Sequence, residues 1–139
     1  MPKFACLTLG LAAAIATATG ALAETTRPLD AISACRLDDE RIVLRFTFEG
    51  GACQQPGEAT VERGKDGLGL VTVPTTNVGE VCTMQIVDVP FAAVVKAVRA
   101  ITTLDVTVLK PDGGRQALGS TDIDSDPAVE CVAPAAAPQ

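Results

Sequence analysis

The chain has 139 residues, 17 of them acidic and 11 basic, and a formal net charge of −6 at pH 7. It contains no histidine, tryptophan or tyrosine, which excludes Ser-His-Asp and Cys-His nucleophile arrangements and every histidine-ligated metal site. The acidic charge disfavours binding to nucleic acid and to anionic lipid. Only carboxylates or lysines remain for catalysis, so we predict no catalytic residue, no cofactor and no enzyme activity.

Residues 1–23 have the pattern of a secretory signal peptide. Lys3 supplies a positive charge, residues 6–15 form a short apolar run, and residues 21–23 are a small-x-small cleavage site. The run is too short for a stable membrane span, although an uncleaved anchor is the alternative. We therefore predict cleavage after Ala23, a periplasmic or secreted location, and no membrane insertion of the mature protein.

The mature chain would have 139 − 23 = 116 residues, which is enough for one domain. We assign residues 24–131 to this domain and residues 132–139, rich in alanine and proline, to a disordered tail. Cleavage removes one of the five cysteines, and an even number in an exported chain predicts two disulfides. Three pairings are possible, and we favour one of them. It consists of Cys53–Cys82 and Cys35–Cys131.

Seven segments have the alternation or the β-branched composition of strands, with turn residues between them. The clearest is 41–49, in which apolar side chains on one face alternate with Arg41, Val43 and Arg45 on the other. Asp66-Gly67 is a strong hairpin signal, because both central residues of the favoured turn need positive φ. The predicted strands are residues 29–37, 41–49, 58–63, 68–73, 81–89, 104–109 and 116–121.

Residues 90–101 do not follow this alternation of apolar and polar residues. Their apolar side chains recur at helical spacing, and Pro90 suits the first position of a helix. We predict a short helix there, with an irregular strand as the alternative because the segment is rich in valine. The whole pattern predicts an all-β fold, a two-sheet antiparallel β-sandwich of immunoglobulin-like type held by two disulfides. A small β-barrel is the alternative.

The acidic segment around residue 124 is the candidate metal site. Alternate carboxylates from Asp122, Asp124 and Asp126 suit one calcium ion. An EF-hand loop is excluded, since its sixth and twelfth positions hold Pro127 and Ala133 instead of Gly and Glu. The competing interpretation is an acidic, solvated turn.

Arg41 and Arg45 share the outward face of one strand in an otherwise acidic protein, which suggests a site for an acidic partner. The alternative is that they pair across the sheet with Glu58 or Glu62. Loops 54–57 and 74–77 are a further candidate surface, and a rigid loop beside Cys53 suggests protease inhibition.

We therefore predict an exported, non-enzymatic domain that binds another exported or envelope protein. A secreted protease inhibitor and a calcium-stabilised structural envelope protein are the alternatives. The sequence does not define the oligomeric state or the identity of the partner.

Overall fold

The computed structural model describes residues 25–79 and 81–135, so the predicted signal peptide lies outside the described residues. This part of the chain contains strands and no helix, and hence no helix able to cross a membrane. The strands are β1 (Arg27–Pro28), β2 (Asp30–Arg36), β3 (Arg41–Gly51), β4 (Gln54–Pro56), β5 (Thr60–Arg63), β6 (Leu68–Val73), β7 (Thr75–Asn77), β8 (Ile86–Lys96), β9 (Thr103–Leu109) and β10 (Arg115–Asp124).

Seven strands form one curled sheet in the order β5-β6-β9-β10-β2-β3-β8, and β1 adds to β10. The pairs β6–β9, β10–β2 and β1–β10 are parallel, and the other neighbours are antiparallel. The curl brings the edge strands β5 and β8 towards each other, so the sheet has the shape of half a barrel. The short strands β4 and β7 form a separate second sheet.

The all-β class is confirmed, but the immunoglobulin-like sandwich is not. A sandwich needs two facing sheets of comparable size, whereas here the second sheet has only two strands of three residues. The parallel pairing of β10 with β2 is the reason, because it joins what would be two sheets into one. Local alternation predicts a strand and its buried face, but it does not specify which strand lies beside it.

The core lies on the concave face of this sheet, and β3 contributes its largest side chains. Residues 42, 44, 46 and 48 are all buried, as the alternation predicts. The rings of Phe46 and Phe91 stack with their centroids 4.7 Å apart. Around them pack apolar side chains of β6 and β9, namely Val71, Val73, Leu104, Val106 and Val108.

The predicted helix at residues 90–101 is wrong, because this segment is the second half of β8 followed by a turn. Val95 is buried, whereas Val94 and Val98 are 40% and 47% exposed, which is not the pattern of one helical face. β8 is an edge strand, and its register directs the nitrogen of Pro90 away from β3. Proline loses no ladder hydrogen bond there, so the valine-rich strand continues through it.

The predicted Asp66-Gly67 turn is confirmed. Asp66 and Gly67 have φ of 56° and 78°, and the N–H of Leu68 donates to the carbonyl of Lys65 at 3.1 Å. Both positive φ values are what the favoured two-residue turn requires. Residues 110–114 likewise connect β9 to β10. In contrast, the strand predicted to begin at residue 81 begins at Ile86.

Both disulfides are present with the predicted pairing, Cys35–Cys131 and Cys53–Cys82. The first joins β2 to the segment after β10. The second joins the chain just after β3 to the chain before β8, and therefore lies beyond the ends of the two strands rather than between them. The two bridges act at opposite ends of β3, since Cys35 pairs with Val43 near its start.

Arg36 holds the turn after β8, a role that the sequence pattern did not indicate. Its guanidinium donates to the carbonyl oxygens of Ala97 and Ile101 at 2.9 Å each, and to those of Val98 and Asp38 at 3.2 Å. The planar fork of arginine allows these four contacts from one side chain. It fixes the connection between the edge strand β8 and the central strand β9.

Candidate functional site

Exposed apolar side chains concentrate in residues 81–87, which we call the 81–87 segment. Val81 is 90% exposed, Met84 is fully exposed and Ile86 is 67% exposed. Isolated exposed apolar side chains are common on any protein, but several in one short segment are typical of an interaction surface. This segment is therefore the strongest candidate site among the described residues.

The backbone of residues 81–85 belongs to no strand and no turn. Residues 82–85 have no positive φ, and Ile86 continues the chain directly into β8. All of these residues are exposed to solvent. The side chains of the segment thus face solvent.

Two attachments hold the segment to β3. Cys82 is bonded to Cys53, and three residues later the carbonyl of Gln85 accepts a hydrogen bond from the N–H of Ala52 at 3.1 Å. The ladder then continues with Ile86 opposite Gly51. The exposed segment is consequently fixed on both sides of its most exposed residue.

A buried amide network supports the end of β3 beneath these attachments. The Oε1 atom of Gln54 accepts the N–H of Gly51 at 3.0 Å, and its Nε2 atom donates to Oγ1 of Thr75 at 2.7 Å. Gln116 donates to the carbonyl of Glu49 at 2.7 Å and to Oε1 of Gln54 at 3.1 Å. Among described residues no buried side-chain polar atom lacks a partner, so each buried amide atom of this network is hydrogen-bonded.

The glycine at position 50 is needed for this arrangement. A Cβ atom there would lie 2.7 Å from Oε1 of Gln54 and 3.1 Å from the ring of Phe48. A larger residue would displace the amide that supports Gly51. Gly50 is therefore a requirement of the site as well as part of the end of the strand.

An open cavity of about 540 Å³ lies beside the 81–87 segment. Met84 and Ile86 form part of its wall, together with the polar side chains of Gln54 and Gln116. Arg27 and Glu49 form an ion pair at its rim. The cavity offers a mixed apolar and polar surface next to the exposed segment, which suits contact with a folded partner.

The predicted partner-binding residues Arg41 and Arg45 are both engaged within the chain. Arg41 donates from Nε to Asp38 at 2.7 Å, and Arg45 donates to the carbonyl of Val132 at 2.9 Å. Neither forms the predicted pair with Glu58 or Glu62, because Arg41 is paired with Asp38 and Arg45 is hydrogen-bonded to Val132. Both remain exposed, so their binding to an acidic partner stays a prediction.

The C-terminal segment explains why Arg45 is engaged. Val43 is on the outward face, yet it is only 1% exposed and lies apart from the concave core. Cys35, opposite Val43 in the ladder, is bonded to Cys131, and Val132 accepts the Arg45 hydrogen bond. These contacts hold the chain after β10 against this face of β2 and β3.

The hydrogen bond from Arg41 lowers the pKa of Asp38, and the backbone N–H of Glu40 adds to the effect. The charge of Arg41 acts in the same direction. Among the described residues, Asp38 is the one whose pKa is clearly shifted. It lies in the β2–β3 turn and not in the 81–87 segment. This interaction fixes a turn and does not suggest proton chemistry.

The structure does not assemble Asp122, Asp124 and Asp126 into a metal site. Asp122 accepts the hydroxyl of Thr103 at 3.0 Å, while Asp124 and Asp126 accept the N–H groups of residues 126 and 128 at 3.0 and 2.9 Å. Within residues 25–79 and 81–135 no group of three acidic or cysteine side chains converges to hold a metal ion. Calcium binding therefore stays a prediction with no geometric support.

The third predicted surface, loops 54–57 and 74–77, is largely structural. Residues 54–56 and 75–77 form the β4–β7 sheet, and Gln54 and Thr75 are buried. The 81–87 segment is not among the predicted surfaces, because residues 81–89 are predicted as a strand. The signal was present: Val81, Met84, Ile86 and Val87 do not follow a period of two.

No protein-family model, curated protein or solved structure matches this chain.

Proposed function

We propose that this protein is an exported, non-enzymatic domain that binds another protein through the 81–87 segment. The observation that supports this most strongly is the concentration of exposed apolar side chains on a segment fixed to β3 at both ends. A surface that is already ordered loses little conformational entropy when it binds. Apolar side chains in such a position supply the area that a partner buries.

The two disulfides support an oxidising compartment, which agrees with the predicted signal peptide. The partner is accordingly another exported or envelope protein. The contact is centred on Met84 and Ile86 and extends over the neighbouring cavity. Rim charges such as Arg27 and Glu49 contribute to specificity more than to affinity.

Affinity capture from a cell-envelope extract followed by direct measurement tests this proposal. The baits are the oxidised protein, a Met84→Asp/Ile86→Asp variant, and a Leu70→Asp control on the outward face of β6, which is exposed and distant in sequence. A captured protein is then purified, and its Kd is measured against all three.

We expect the double variant to weaken binding at least about 100-fold, since two apolar contacts are replaced by desolvated charges. The control should bind like the native protein. Equal binding by all three proteins would contradict the proposal. A fourth bait, Arg41→Glu/Arg45→Glu, tests the outward face of β3. If only this bait loses binding, the contact lies on that face instead.

A further inference from the structure

The peptide bond between Met84 and Gln85 lies between the two attachments of the 81–87 segment. On the Met84 side the chain is fixed two residues away by the Cys53–Cys82 disulfide. On the Gln85 side it is fixed by the hydrogen bond from Ala52 and by the β3–β8 ladder. A fully exposed, unbranched apolar side chain stands directly before this bond.

We propose that this segment inhibits serine endopeptidases whose primary specificity pocket is apolar, by binding as a substrate that is not released. Met84 fills the pocket, and the Met84–Gln85 bond lies at the nucleophile. This inference rests on the proposed function and specifies its partner. It differs from a general binding surface in requiring one particular peptide bond.

The exposure of the segment supports an endopeptidase as the partner. Residues 81–85 are exposed and belong to no strand of the described structure, so they can pair with a peptidase cleft as an added strand. The side chain of methionine is flexible and apolar, so it enters a deep apolar pocket without the restriction of a β-branched residue. Because the Cys53–Cys82 disulfide and the Ala52–Gln85 hydrogen bond already restrain the segment, binding costs less conformational entropy.

The chemical step follows from the peptidase mechanism. The peptidase serine oxygen bonds to the carbonyl carbon of Met84, and its proton passes to the peptidase histidine. The bond to the nitrogen of Gln85 then breaks, and the nitrogen takes the proton from that histidine. This leaves an ester to Met84 and a free amine on Gln85. Attack of the amine on the ester reverses each transfer and restores the peptide bond.

The attachments favour this reversal over hydrolysis. The carbonyl of Gln85 stays hydrogen-bonded to the N–H of Ala52, which keeps the new amine of Gln85 beside the end of β3, and the Cys53–Cys82 bridge keeps the acyl side in place. The two parts of the chain also remain covalently joined, because Cys35 precedes the cleaved bond and Cys131 follows it. A reacting group held in place in this way has a high effective concentration, so the amine competes with water for the ester.

The test uses the oxidised, exported protein with chymotrypsin, subtilisin and trypsin, the last of which has an acidic primary pocket. We expect tight inhibition of chymotrypsin or subtilisin and little inhibition of trypsin. Met84→Lys should weaken inhibition of chymotrypsin and strengthen inhibition of trypsin, each by about 100-fold or more. Leu70→Lys, which adds the same charge on β6, should change neither.

Three results would overturn the inference. The first is no inhibition of chymotrypsin or subtilisin at micromolar protein. The second is rapid, complete cleavage without inhibition. The third is inhibition that Met84→Lys leaves unchanged. Suppose instead that the protein fails to inhibit these peptidases while the Met84→Asp/Ile86→Asp bait still fails to bind the envelope partner. In that result the binding function stands and only the peptidase assignment is wrong.

Discussion

The backbone N–H of Ala52 donates to the carbonyl oxygen of Gln85 at 3.1 Å, so the chain just after β3 directly supports the chain just before β8. The same stretch of β3 rests on the buried amide of Gln54 through the N–H of Gly51. A path of hydrogen bonds thus leads from the interior to the exposed 81–87 segment. Ordering of the segment is therefore a property of the fold and does not depend on the partner.

Replacing Gln54 by alanine should destabilise the protein and loosen the segment. The change removes the acceptor for the Gly51 N–H and leaves the amide of Gln116 with one partner fewer. We expect the free energy of unfolding to fall by about 1–3 kcal/mol, as for other buried hydrogen-bonding groups left unpaired. Gln55→Ala, at the exposed neighbouring position of β4, should change it little.

Guanidinium unfolding with intact disulfides, followed by far-UV circular dichroism, measures this difference, since the chain has no Trp or Tyr to report by fluorescence. Equal stability of the two variants would mean that the amide network does not support β3.

Removing each disulfide should have different consequences for the site. The bridges span sequence separations of 96 for Cys35–Cys131 and 29 for Cys53–Cys82. On the chain-entropy argument their loss costs about 4–5 and about 3–4 kcal/mol respectively. The longer bridge therefore matters more for stability, whereas the shorter one fixes the 81–87 segment.

We expect Cys53→Ala/Cys82→Ala to lose partner binding under conditions where circular dichroism shows that it is still folded. Cys35→Ala/Cys131→Ala should bind wherever it remains folded. Partner binding that survives loss of the shorter bridge would show that the disulfide is not needed to present Met84.

The pKa of Asp38 should depend on Arg41 and not on Arg45. The Arg41 hydrogen bond lowers the pKa in the folded protein, so ionised Asp38 stabilises the fold above the unfolded-state pKa. That contribution disappears as the pH falls through the lower, folded-state pKa. An NMR titration should show the pKa rising towards its ordinary value in Arg41→Gln and staying low in Arg45→Gln. A similar rise in both variants would exclude the direct contact as its cause.

Calcium should not stabilise the protein. The carboxylates of Asp124 and Asp126 already accept backbone N–H groups, and no three ligands converge among the described residues. We expect the same Tm with calcium and with chelator. A calcium-dependent rise in Tm that disappears when Asp122, Asp124 and Asp126 are changed to Asn would contradict this and establish the calcium-stabilised alternative.

Local patterns predicted the strands well, because alternation follows directly from the geometry of a strand with one buried face. They indicate the buried face of β3 and the Asp66-Gly67 turn, whereas the cysteines alone leave three disulfide pairings open. They failed at residues 90–101, where the apolar spacing fits a helix equally well. The segment is a strand because β8 has a free edge, where Pro90 loses no ladder hydrogen bond. Whether a strand lies at an edge depends on the pairing of strands that are distant in the sequence.

The candidate site was less predictable. Arg41 and Arg45 were identified as outward-facing, which is correct, but their partners in the turn and in the C-terminal segment could not be known without the topology. The exposure of Met84 depends on where β8 begins. That boundary is set by the Ala52–Gln85 hydrogen bond and by Gln54, and no local pattern contains either contact.

The most direct measurement is the ratio of intact to cleaved protein at the Met84–Gln85 bond, approached from both sides. Intact protein and protein already cleaved at this bond are each incubated with a trace of chymotrypsin and analysed by mass spectrometry after reduction. If the two attachments hold the new ends together, both samples should reach the same ratio, with resynthesis of the bond in the cleaved sample. The proposal that the two attachments hold the cleaved ends together would be contradicted by either of two results. One is cleaved protein that never regains the bond, and the other is intact protein that is degraded to completion.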